Sequence, residues 1–383
     1  MLNETQAREV SEKYLQAGSL ATSTQEILDS GAIPRLRGYH ARIGKVSDAI
    51  HGGPGSYVVK EKDGTKRTVT YDNPPLIGKD SRPLIFFIRT DRISSHDENR
   101  GEVPLKGQIL AANHNYMLRM LARIMSHAQI DVGLPDNAIV SVQEQLTQIP
   151  VEMVVRGYMA ESTTDTSLFH HYVKQELRVF CGHELPNDLV ANGPLPYPMD
   201  TPSSKAGRDV SMSPEELFAA DLCTPQQYAH LRGKALFAFG FISHLVGGIR
   251  VTDPSLDVGR EGLIAVDTKT EHGIDRYGRI LAQDELYTLD SSRFWDRKEY
   301  ETQLAELIRG ERRELKPRSF SKEFARQFSK GKEHYTPEQV IEIAVRYILG
   351  IQALLNSEFV PDTRPRDIQV ISGLEHVVQR LAA

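Results

Sequence analysis

Runs of apolar residues bounded by polar and turn residues recur along the chain and predict a body built of both strands and helices. Buried strands are predicted at 84–88 (LIFFI), 138–143 and 149–158, and a further apolar run at 263–266 begins another strand. An apolar stripe at helical spacing after Met117 predicts a helix that faces the core. Capping signals predict further helices in the second half of the chain, beginning at Ser213, Thr224 and Thr336.

The last of these apolar runs continues into a polar hairpin, which is the most informative stretch of the chain. Asp267, Lys269 and Glu271 lie two residues apart, so an extended strand points all three side chains to one face. The sequence at 275–278 (DRYG) supplies turn residues, and a second short apolar run at 280–282 leads back along the first strand. The pattern therefore predicts a β-hairpin with one charged face.

The predicted hairpin brings Glu271, Asp284 and Glu285 close together, with Lys269 beside them. Mg²⁺ prefers carboxylate oxygens, and a lysine binds phosphate as a point charge, so this set suits a divalent metal and the phosphates that it carries. Alternating strands commonly carry a solvated charged face without any ligand. The spacing alone leaves both interpretations open.

A second segment combines strands, glycines and a lysine. The stretch 42–50 is predicted as one strand, followed by a glycine-rich tip at 51–55 and a returning strand at 56–60, which ends in a turn at Asp63 and Gly64. The backbone N–H groups of such a tip, together with an inward Lys45, can cover the phosphates of a nucleotide. Most glycines of this kind only make turns, so this signal is weak by itself.

Two arginines are each followed by a serine at a spacing that suits an anion site. Arg92 and Ser94 lie two residues apart after a predicted strand, and Arg156 ends a later strand with Ser162 a short loop away. A guanidinium fork and a hydroxyl together can hold a phosphate or a carboxylate. The alternatives are a surface ion pair at a strand end for Arg92, and an ion pair with Glu152 for Arg156.

Composition narrows the class of protein. The 383 residues suggest two domains or three, and a formal net charge of −5 with a pI near 6.2 argues against a general nucleic-acid binder. Two cysteines, Cys181 and Cys223, are too few for a disulfide framework and fit a reducing cytosol. The polar first residues lack the apolar segment of a signal peptide, and the most apolar segment, 235–249, is too short to span a bilayer. We therefore expect a cytoplasmic protein.

Several motifs of the chain resemble those of the SAICAR synthetase family. DTKTEHG at 267–273 and DELYTLDSSRFW at 284–295 are similar to the family patterns D-x-K-x-E-F-G and D-E-x-x-T-P-D-S-S-R-x-W. IPVEMVVRGY at 149–158, TDRISSHD at 90–97 and GKVSD at 44–48 are similar to further family motifs. The motifs follow in the family's order and extend over most of the chain.

The chain departs from the family pattern at several positions. Ser47 replaces an arginine, Glu161 a glycine, His272 a phenylalanine and Leu289 a proline, and the loop at 96–102 has a different spacing. These departures indicate a divergent member and leave open an altered substrate preference.

The resemblance implies a fold and a division into parts. The implied fold is α+β with two lobes, a smaller, mainly antiparallel, kinase-like nucleotide lobe at 38–146 and a larger lobe at 147–383 that binds substrate and metal and carries the C-terminal helices. ATP would lie between the lobes. Residues 1–37 fall outside the resemblance and form a predicted helical extension, packed either on the body or on a neighbouring subunit.

The resemblance also implies a reaction, the ATP-dependent joining of L-aspartate to the carboxylate of carboxyaminoimidazole ribonucleotide (CAIR) to give SAICAR, ADP and phosphate in purine biosynthesis. ATP and Mg²⁺ would be the cofactors, and ATP would phosphorylate the carboxylate before the amine displaces the phosphate. Two alternatives stay open: a ligase or kinase of related fold acting on another carboxylated substrate, and a non-catalytic paralogue that binds nucleotide. No nucleic acid or membrane is expected as a partner, and a homo-oligomer remains open.

The same resemblance assigns roles to individual residues. The residues expected to bind the nucleotide are Lys45, Ser47, Lys205, Lys269 and Glu271. Glu271 and Asp284 are expected to hold Mg²⁺, and Lys269, Asp284 and Asp290 to act in catalysis. The residues expected to hold the substrate are Arg92, Ser94, Arg156, Ser162, Ser292 and Arg293. Lys205 lies on a loop at 192–209 rich in Pro, Gly and Ser, from which it could close over ATP or stay solvated.

Overall fold

The computed structural model describes residues 1–16, 23–60, 65–95, 98–205, 209–247, 262–328 and 334–381. The predicted turn at Asp63 and Gly64, part of the departing loop (His96 and Asp97) and residues 206–208 lie outside the described residues. The strands of the described part are β1 (Arg42–Ile43), β2 (Ser47–His51), β3 (Gly53–Lys60), β4 (Lys66–Asn73), β5 (Leu84–Arg89), β6 (Arg92–Ser95), β7 (Glu98–Glu102), β8 (Val140–Glu144), β9 (Thr147–Tyr158), β10 (Val179–Phe180), β11 (His183–Glu184), β12 (Pro194–Asp200), β13 (Ser203–Ser204), β14 (Leu263–Ile274), β15 (Ile280–Gln283) and β16 (Ser292–Asp296). The α-helices are α1 (Glu4–Gln16), α2 (Thr24–Asp29), α3 (Lys106–Leu121), α4 (Pro214–Ala219), α5 (Pro225–Val246), α6 (Arg297–Ile308), α7 (Lys322–Phe328), α8 (Pro337–Leu355) and α9 (Arg366–Leu381).

A four-stranded sheet with the order β1-β2-β5-β8 forms the first half of the body, and all of its pairings are antiparallel. Its apolar face, with Phe86 and Val142 fully buried, packs against α2 and the C-terminal helix α9, which contributes Val370 and Leu374. Burial alternates along most of β5, with Leu84, Phe86 and Ile88 fully buried and the residues between them less so, so one face is removed from water.

The predicted strand at 42–50 is wrong, because the chain turns back on itself there. β1 and β2 pair with each other in antiparallel register, Arg42 opposite Ala49, and residues 44–46 form the connection. A Cβ on Gly44 would lie 2.2 Å from the carbonyl oxygen of Ser47, so only glycine fits this tight turn. Much of the predicted glycine-rich tip is also strand, since β3 already begins at Gly53.

The second sheet has six strands and carries the polar hairpin. β9 and β14 pair over most of their length, with Glu271 opposite Glu152 and Asp267 opposite Arg156. On its other edge β14 pairs with β15 and β16, which places Arg293 opposite Asp267. The predicted β-hairpin is therefore confirmed, and its register brings charged residues of three strands together.

Apolar packing joins segments that are distant in sequence. α3 lies within the first half of the chain, yet its residues Ile109 and Met117 belong to the core formed by the six-stranded sheet, α5 and α8. α9, at the end of the chain, belongs to the core of the four-stranded sheet. The α+β fold class with antiparallel sheets is thus confirmed, while the boundary between lobes near 146 stays a prediction.

The N-terminal helix α1 packs on the body of the protein rather than projecting from it. Ala7, Ser11 and Tyr14 are buried, and the backbone N–H of Leu2 donates to the side-chain oxygen of Gln352 on α8, with the amide of Gln352 donating back to the Leu2 carbonyl. In the part of the chain that the structure describes, no helix has the length and apolarity needed to cross a bilayer.

Candidate functional site

Two cavities lie along the polar hairpin and collect most of the predicted site residues. The first, here called the carboxylate cavity, has a volume of about 470 Å³ and is lined among others by Lys45, Ser47, Gln143, Glu271 and Asp284. The second, here called the arginine cavity, has a volume of about 240 Å³ and is lined among others by Glu152, Arg156, Ser162, Asp267, Lys269, Asp290, Ser292, Arg293 and Lys322. The fold thus sorts the predicted nucleotide and metal residues mainly to one side and the predicted substrate residues to the other.

The turn between β1 and β2 forms one wall of the carboxylate cavity. Lys45 and Ser47 line the cavity, and the Arg92 side chain donates to the carbonyl oxygen of Gly44 over 2.9 Å. Arg92 also pairs with the buried carboxylate of Asp48. Arg92 lines neither cavity and fixes the turn, so its predicted contact with the substrate is not what the geometry favours.

Glu271 and Asp284 face the carboxylate cavity as a pair of acids. Burial and the nearby Asp284 carboxylate raise the pKa of Glu271 to about 7. Asp284 has a left-handed backbone (φ 61°), which is held by hydrogen bonds of 3.1 and 3.0 Å between its backbone and the Gln143 amide. Its carboxylate accepts no hydrogen bond from the residues that the structure describes. The two acids thus repel each other more than their surroundings compensate, since the pKa of Glu271 stays raised.

The donor set of this pair fits Mg²⁺. Within the described ranges no group of three or more His, Cys, Asp and Glu side chains is arranged to hold a metal ion. Mg²⁺ commonly binds through one or two carboxylates and takes its other ligands from water and substrate phosphates. Glu271 and Asp284 therefore suffice for an ion that arrives with a nucleotide.

Two lysines and Glu152 connect the cavities. Lys269 Nζ lies 2.8 Å and Lys205 Nζ 2.7 Å from the Glu152 carboxylate, and Lys205 also lies 3.0 Å from Glu271. Burial acts to raise the pKa of Glu152, but the two lysines outweigh burial and hold this pKa at about 2. The Lys205 side chain is therefore paired in the site.

Glu152 is a functional residue that the sequence reasoning missed. It entered there only as the alternative partner of Arg156, and that alternative is wrong, because Glu152 binds the two lysines. No signal in the sequence identified it, because its position opposite Glu271 is set by the register of β9 and β14.

Asp267 holds both arginines of the arginine cavity. Its carboxylate lies 3.0 Å from Arg156 Nη1 and accepts from Arg293 Nε at 2.9 Å. Arg156 also donates to the Thr201 hydroxyl over 2.9 Å. Burial acts to raise the pKa of Asp267, but the two guanidinium groups lower it overall. The two forks are fixed before any ligand arrives.

Two serines complete this wall of the arginine cavity. Ser162 and Ser292 line it beside the guanidinium groups, and the Ser292 and Thr268 hydroxyls hydrogen-bond over 2.8 Å. Arg293 also donates to the carbonyl oxygen of Glu161 over 2.8 Å. Fixed guanidinium forks beside hydroxyls suit a ligand with phosphate or carboxylate groups.

Asp290 lies at the floor of the arginine cavity in a buried network. Lys106 Nζ on α3 lies 2.7 Å from its carboxylate, and the Tyr347 hydroxyl on α8 donates to it over 2.5 Å. Lys322 Nζ on α7 lies 4.0 Å away and also donates to Ser94 Oγ over 3.1 Å. Burial acts to raise the pKa of Asp290, but Lys106 and Lys322 bring it to about 2. Asp290 therefore stays ionised.

The residues that surround Asp290 had no role in the sequence-based prediction. For Lys106 and Lys322 the available signal was the similarity of Lys106-Gly107 and of 319–328 (SFSKEFARQF) to further family motifs. Tyr347 had no such signal. Ser94, which was predicted, joins the site through Lys322.

Two departures from the family pattern lie behind the site rather than in it. His272 is 2% exposed, on the strand face opposite Glu271, and burial lowers its pKa to about 4. Leu289 is fully buried in the main core and contacts the region of Gly350 on α8. Both are packing positions and line neither cavity.

Comparison with known proteins agrees with the motifs and the fold. The chain is 34% identical over 300 residues to the chloroplastic phosphoribosylaminoimidazole-succinocarboxamide synthase of Arabidopsis thaliana, covering 75% of this chain and 67% of that protein. It is 30% identical over 305 residues to the synthase of the same name from Legionella pneumophila, covering 76% of this chain and 90% of that protein.

Solved structures of SAICAR synthases share the architecture. The yeast enzyme (Saccharomyces cerevisiae) in complex with SAICAR aligns with a TM-score of 0.61 at 22% identity, over 90% of this chain and all of that one. A SAICAR synthetase in complex with ADP aligns with a TM-score of 0.53 at 16% identity, over 84% of this chain and all of that one. At these identities the likeness concerns the fold.

The sequence profile described as SAICAR synthetase matches residues 78–342, which is more than half of the chain and includes both long strands of the six-stranded sheet. Together with relatives at 30% identity and above, this match shows that the chain belongs to the SAICAR synthetase family.

Proposed function

We propose that the chain catalyses the reaction of its family, the ATP-dependent ligation of L-aspartate to the carboxylate of CAIR, which yields SAICAR, ADP and phosphate in purine biosynthesis. The observation that carries this proposal is the pairing of two cavities along one hairpin. The carboxylate cavity includes Lys45 and the acids Glu271 and Asp284, and the arginine cavity includes two fixed arginines beside hydroxyls. A nucleotide that brings Mg²⁺ suits the first, and a ligand with phosphate and carboxylate groups suits the second.

The ligation needs an activated carboxylate, because a carboxylate and an amine do not condense unaided. We propose that ATP phosphorylates the carboxylate of CAIR and that the amine of L-aspartate then displaces the phosphate. Phosphoryl transfer depends on positioning and on neutralisation of charge rather than on covalent help from the protein. Lys45, Lys205 and Lys269 would neutralise phosphate charge, and the last two already stand where the cavities meet.

We assign the metal to Glu271 and Asp284. The raised pKa of Glu271 reflects two buried carboxylates close to each other, which a divalent cation would relieve. When bound, Mg²⁺ supplies charge that polarises the phosphates of ATP. The proposed contacts of CAIR remain Arg156, Arg293 and the hydroxyls of Ser94, Ser162 and Ser292. Asp290 would orient the amine or the ribose hydroxyls. A cytoplasmic location stays a prediction.

The test is phosphate release and SAICAR formation by the purified chain with ATP, Mg²⁺, CAIR and L-aspartate, omitting each component in turn. We expect product only when all four are present. Turnover with another carboxylated acceptor, and none with CAIR, would favour a ligase or kinase of different specificity. ATP binding without turnover on either acceptor would favour the non-catalytic paralogue.

A further inference from the structure

Lys322 is a charged residue of the arginine cavity that the proposed mechanism has not yet used. It begins α7, and its backbone N–H donates to the carbonyl oxygen of Leu289 over 3.0 Å, so the start of the helix is attached to the segment that carries Asp290. Its side chain is 15% exposed and lines the cavity. Nζ lies 3.1 Å from Ser94 Oγ and 4.0 Å from the Asp290 carboxylate. The amine thus reaches the ligand space from a fixed position.

The surroundings of Lys322 differ from those of the neighbouring lysine. Lys106 is fully buried and lies 2.7 Å from the Asp290 carboxylate, with which it forms a direct ion pair. Lys322 stands farther from Asp290 and also near Lys106 and Arg326. Burial, followed by these two cations, lowers its pKa to about 8, although Asp290 and Glu285 act in the opposite direction. A lysine with a pKa lowered in this way can lose and regain its proton near neutral pH.

We propose that Lys322 is the general base that takes a proton from the ammonium group of L-aspartate before the amine attacks. This inference rests on the proposed function, because it assumes an activated carboxylate in the arginine cavity. A positioned base must lie within reach of the proton, and the exposed end of Lys322 faces the same cavity as the proposed CAIR contacts Arg156 and Arg293.

Neutral Lys322 accepts one proton from the ammonium group and becomes a cation. The free amine forms the C–N bond, the C–O bond to the phosphoryl group breaks, and phosphate leaves with that electron pair. The second amine proton goes to the departing phosphate, and Lys322 then returns its proton to solvent.

Asp290 stabilises both the ammonium group that gives the proton and the lysine that receives it. Its pKa of about 2 keeps it ionised throughout, so it can attract the ammonium group of the incoming amino acid. At 4.0 Å it can also stabilise the cation that Lys322 becomes. Ser94, which accepts from Nζ, keeps the side chain directed into the cavity.

The competing interpretation is that Lys322 is only a fixed cation that binds a carboxylate of the substrate. Arginine keeps its charge and cannot lose its proton in a protein, so Lys322→Arg separates the two roles. A base role predicts loss of activity in both Lys322→Met and Lys322→Arg. A binding role predicts that Lys322→Arg restores the rate.

The experiment measures SAICAR formation at saturating substrates from pH 6 to pH 9.5 in the wild type, Lys322→Met and Lys322→Arg. We expect the wild-type kcat to rise with pH and level off above a pKa near 8, because the neutral amine is the active form. Both variants should lose about 100-fold or more at pH 8 and lack this dependence. Lys298→Met removes an exposed lysine outside both cavities and should leave kcat and its pH dependence unchanged.

A second nucleophile distinguishes a variant that has lost only the general base from a variant that no longer folds. Hydroxylamine is unprotonated at neutral pH and needs no base, so CAIR-dependent hydroxamate formation should persist in Lys322→Met. If hydroxamate and SAICAR formation fall together, or if Lys322→Arg is active, the inference is overturned. If the wild type forms neither product with CAIR, it is the proposed function that fails, and the inference falls with it.

Discussion

The two cavities differ in how their charges are balanced. In the arginine cavity, Asp267 is paired with two arginines and Asp290 with Lys106, and the partners lower the pKa of both acids. In the carboxylate cavity, burial and the nearby Asp284 raise the pKa of Glu271 to about 7 although Lys205 lies 3.0 Å from Glu271, and the Asp284 carboxylate accepts no hydrogen bond from the described residues. The charges of the arginine cavity are balanced within the chain alone, whereas the carboxylate cavity has an excess of negative charge.

This difference indicates which ligand each cavity awaits. Preorganised cations hold an anionic ligand without first having to be arranged, so the arginine cavity is suited to fix the substrate. Unrelieved carboxylates gain most from a cation that comes with the second ligand. Removing a paired acid of the arginine cavity should therefore lower the stability of the fold, whereas removing an acid of the carboxylate cavity should lower activity without lowering stability.

The largest effect on stability is expected for Asp267→Asn. The change removes the charge that holds Arg156 and Arg293 and leaves two buried guanidinium groups facing each other. Breaking a buried ion pair from one side costs about 3–5 kcal/mol, so the free energy of unfolding should fall by that order. Denaturant unfolding of the ligand-free protein measures it.

Asp136→Asn provides the matched control for this prediction. Asp136 also binds an arginine with both oxygens, at 2.6 and 2.7 Å from Arg119, but its side chain is 54% exposed. An exposed pair contributes at most about 1 kcal/mol. Equal losses in the two variants would mean that the arginine cavity is not preorganised by Asp267.

The next effect belongs to the carboxylate cavity and concerns activity. Asp284→Asn removes one proposed metal ligand and keeps the left-handed backbone, which asparagine tolerates well. We expect kcat to fall about 100-fold or more, because a charge that acts in the transition state is lost. The free energy of unfolding without Mg²⁺ should stay the same or rise, since repulsion with Glu271 is relieved. A loss of stability that parallels the loss of activity would contradict the comparison.

The polar hairpin was predictable because its information is local. A period of two residues places Asp267, Lys269 and Glu271 on one face, and turn residues close the hairpin. The ion pairs across the cavities were not predictable in this way. Glu152 entered the prediction only as the alternative partner of Arg156, because both share a strand face, but in the structure it binds Lys205 and Lys269 instead.

A backbone turn and contacts between distant segments also could not be predicted from the sequence. The alternation at 42–50 looks like one strand because a pattern of side chains does not show that Gly44 lets the chain reverse. Lys106 and Tyr347 meet Asp290 only because α3 and α8 pack against the same loop. Motif similarity marked some of these residues, but only the packing shows their partners.

The pH dependence of stability should reveal the raised pKa of Glu271. Its pKa is about 7 in the folded protein and near 4.5 when the chain is unfolded, so the folded form keeps a proton that the unfolded form has released. The associated stability is present below pH 4.5 and is lost as pH rises through 7. Relative to Glu271→Gln, the wild type should lose on the order of 2 kcal/mol of unfolding free energy over this range, measured with chelator present. Parallel curves for the two proteins would show that Glu271 is not perturbed.

The smallest effect is expected at the rim of the arginine cavity, where Glu161 replaces the family's glycine. Its carboxylate lies 3.2 Å from Lys316, and the two side chains are 41% and 53% exposed. Arg293 binds the backbone carbonyl of this residue rather than its carboxylate. Glu161→Gln should therefore lower the free energy of unfolding by less than about 1 kcal/mol and leave the KM for CAIR nearly unchanged. Lys316→Met should behave alike, because it removes the other half of the same exposed pair. A marked fall in the KM for CAIR in Glu161→Gln alone, abolished by high salt, would contradict this expectation. It would mean that the Glu161 carboxylate repels the anionic ligand and contributes to the charge of the site.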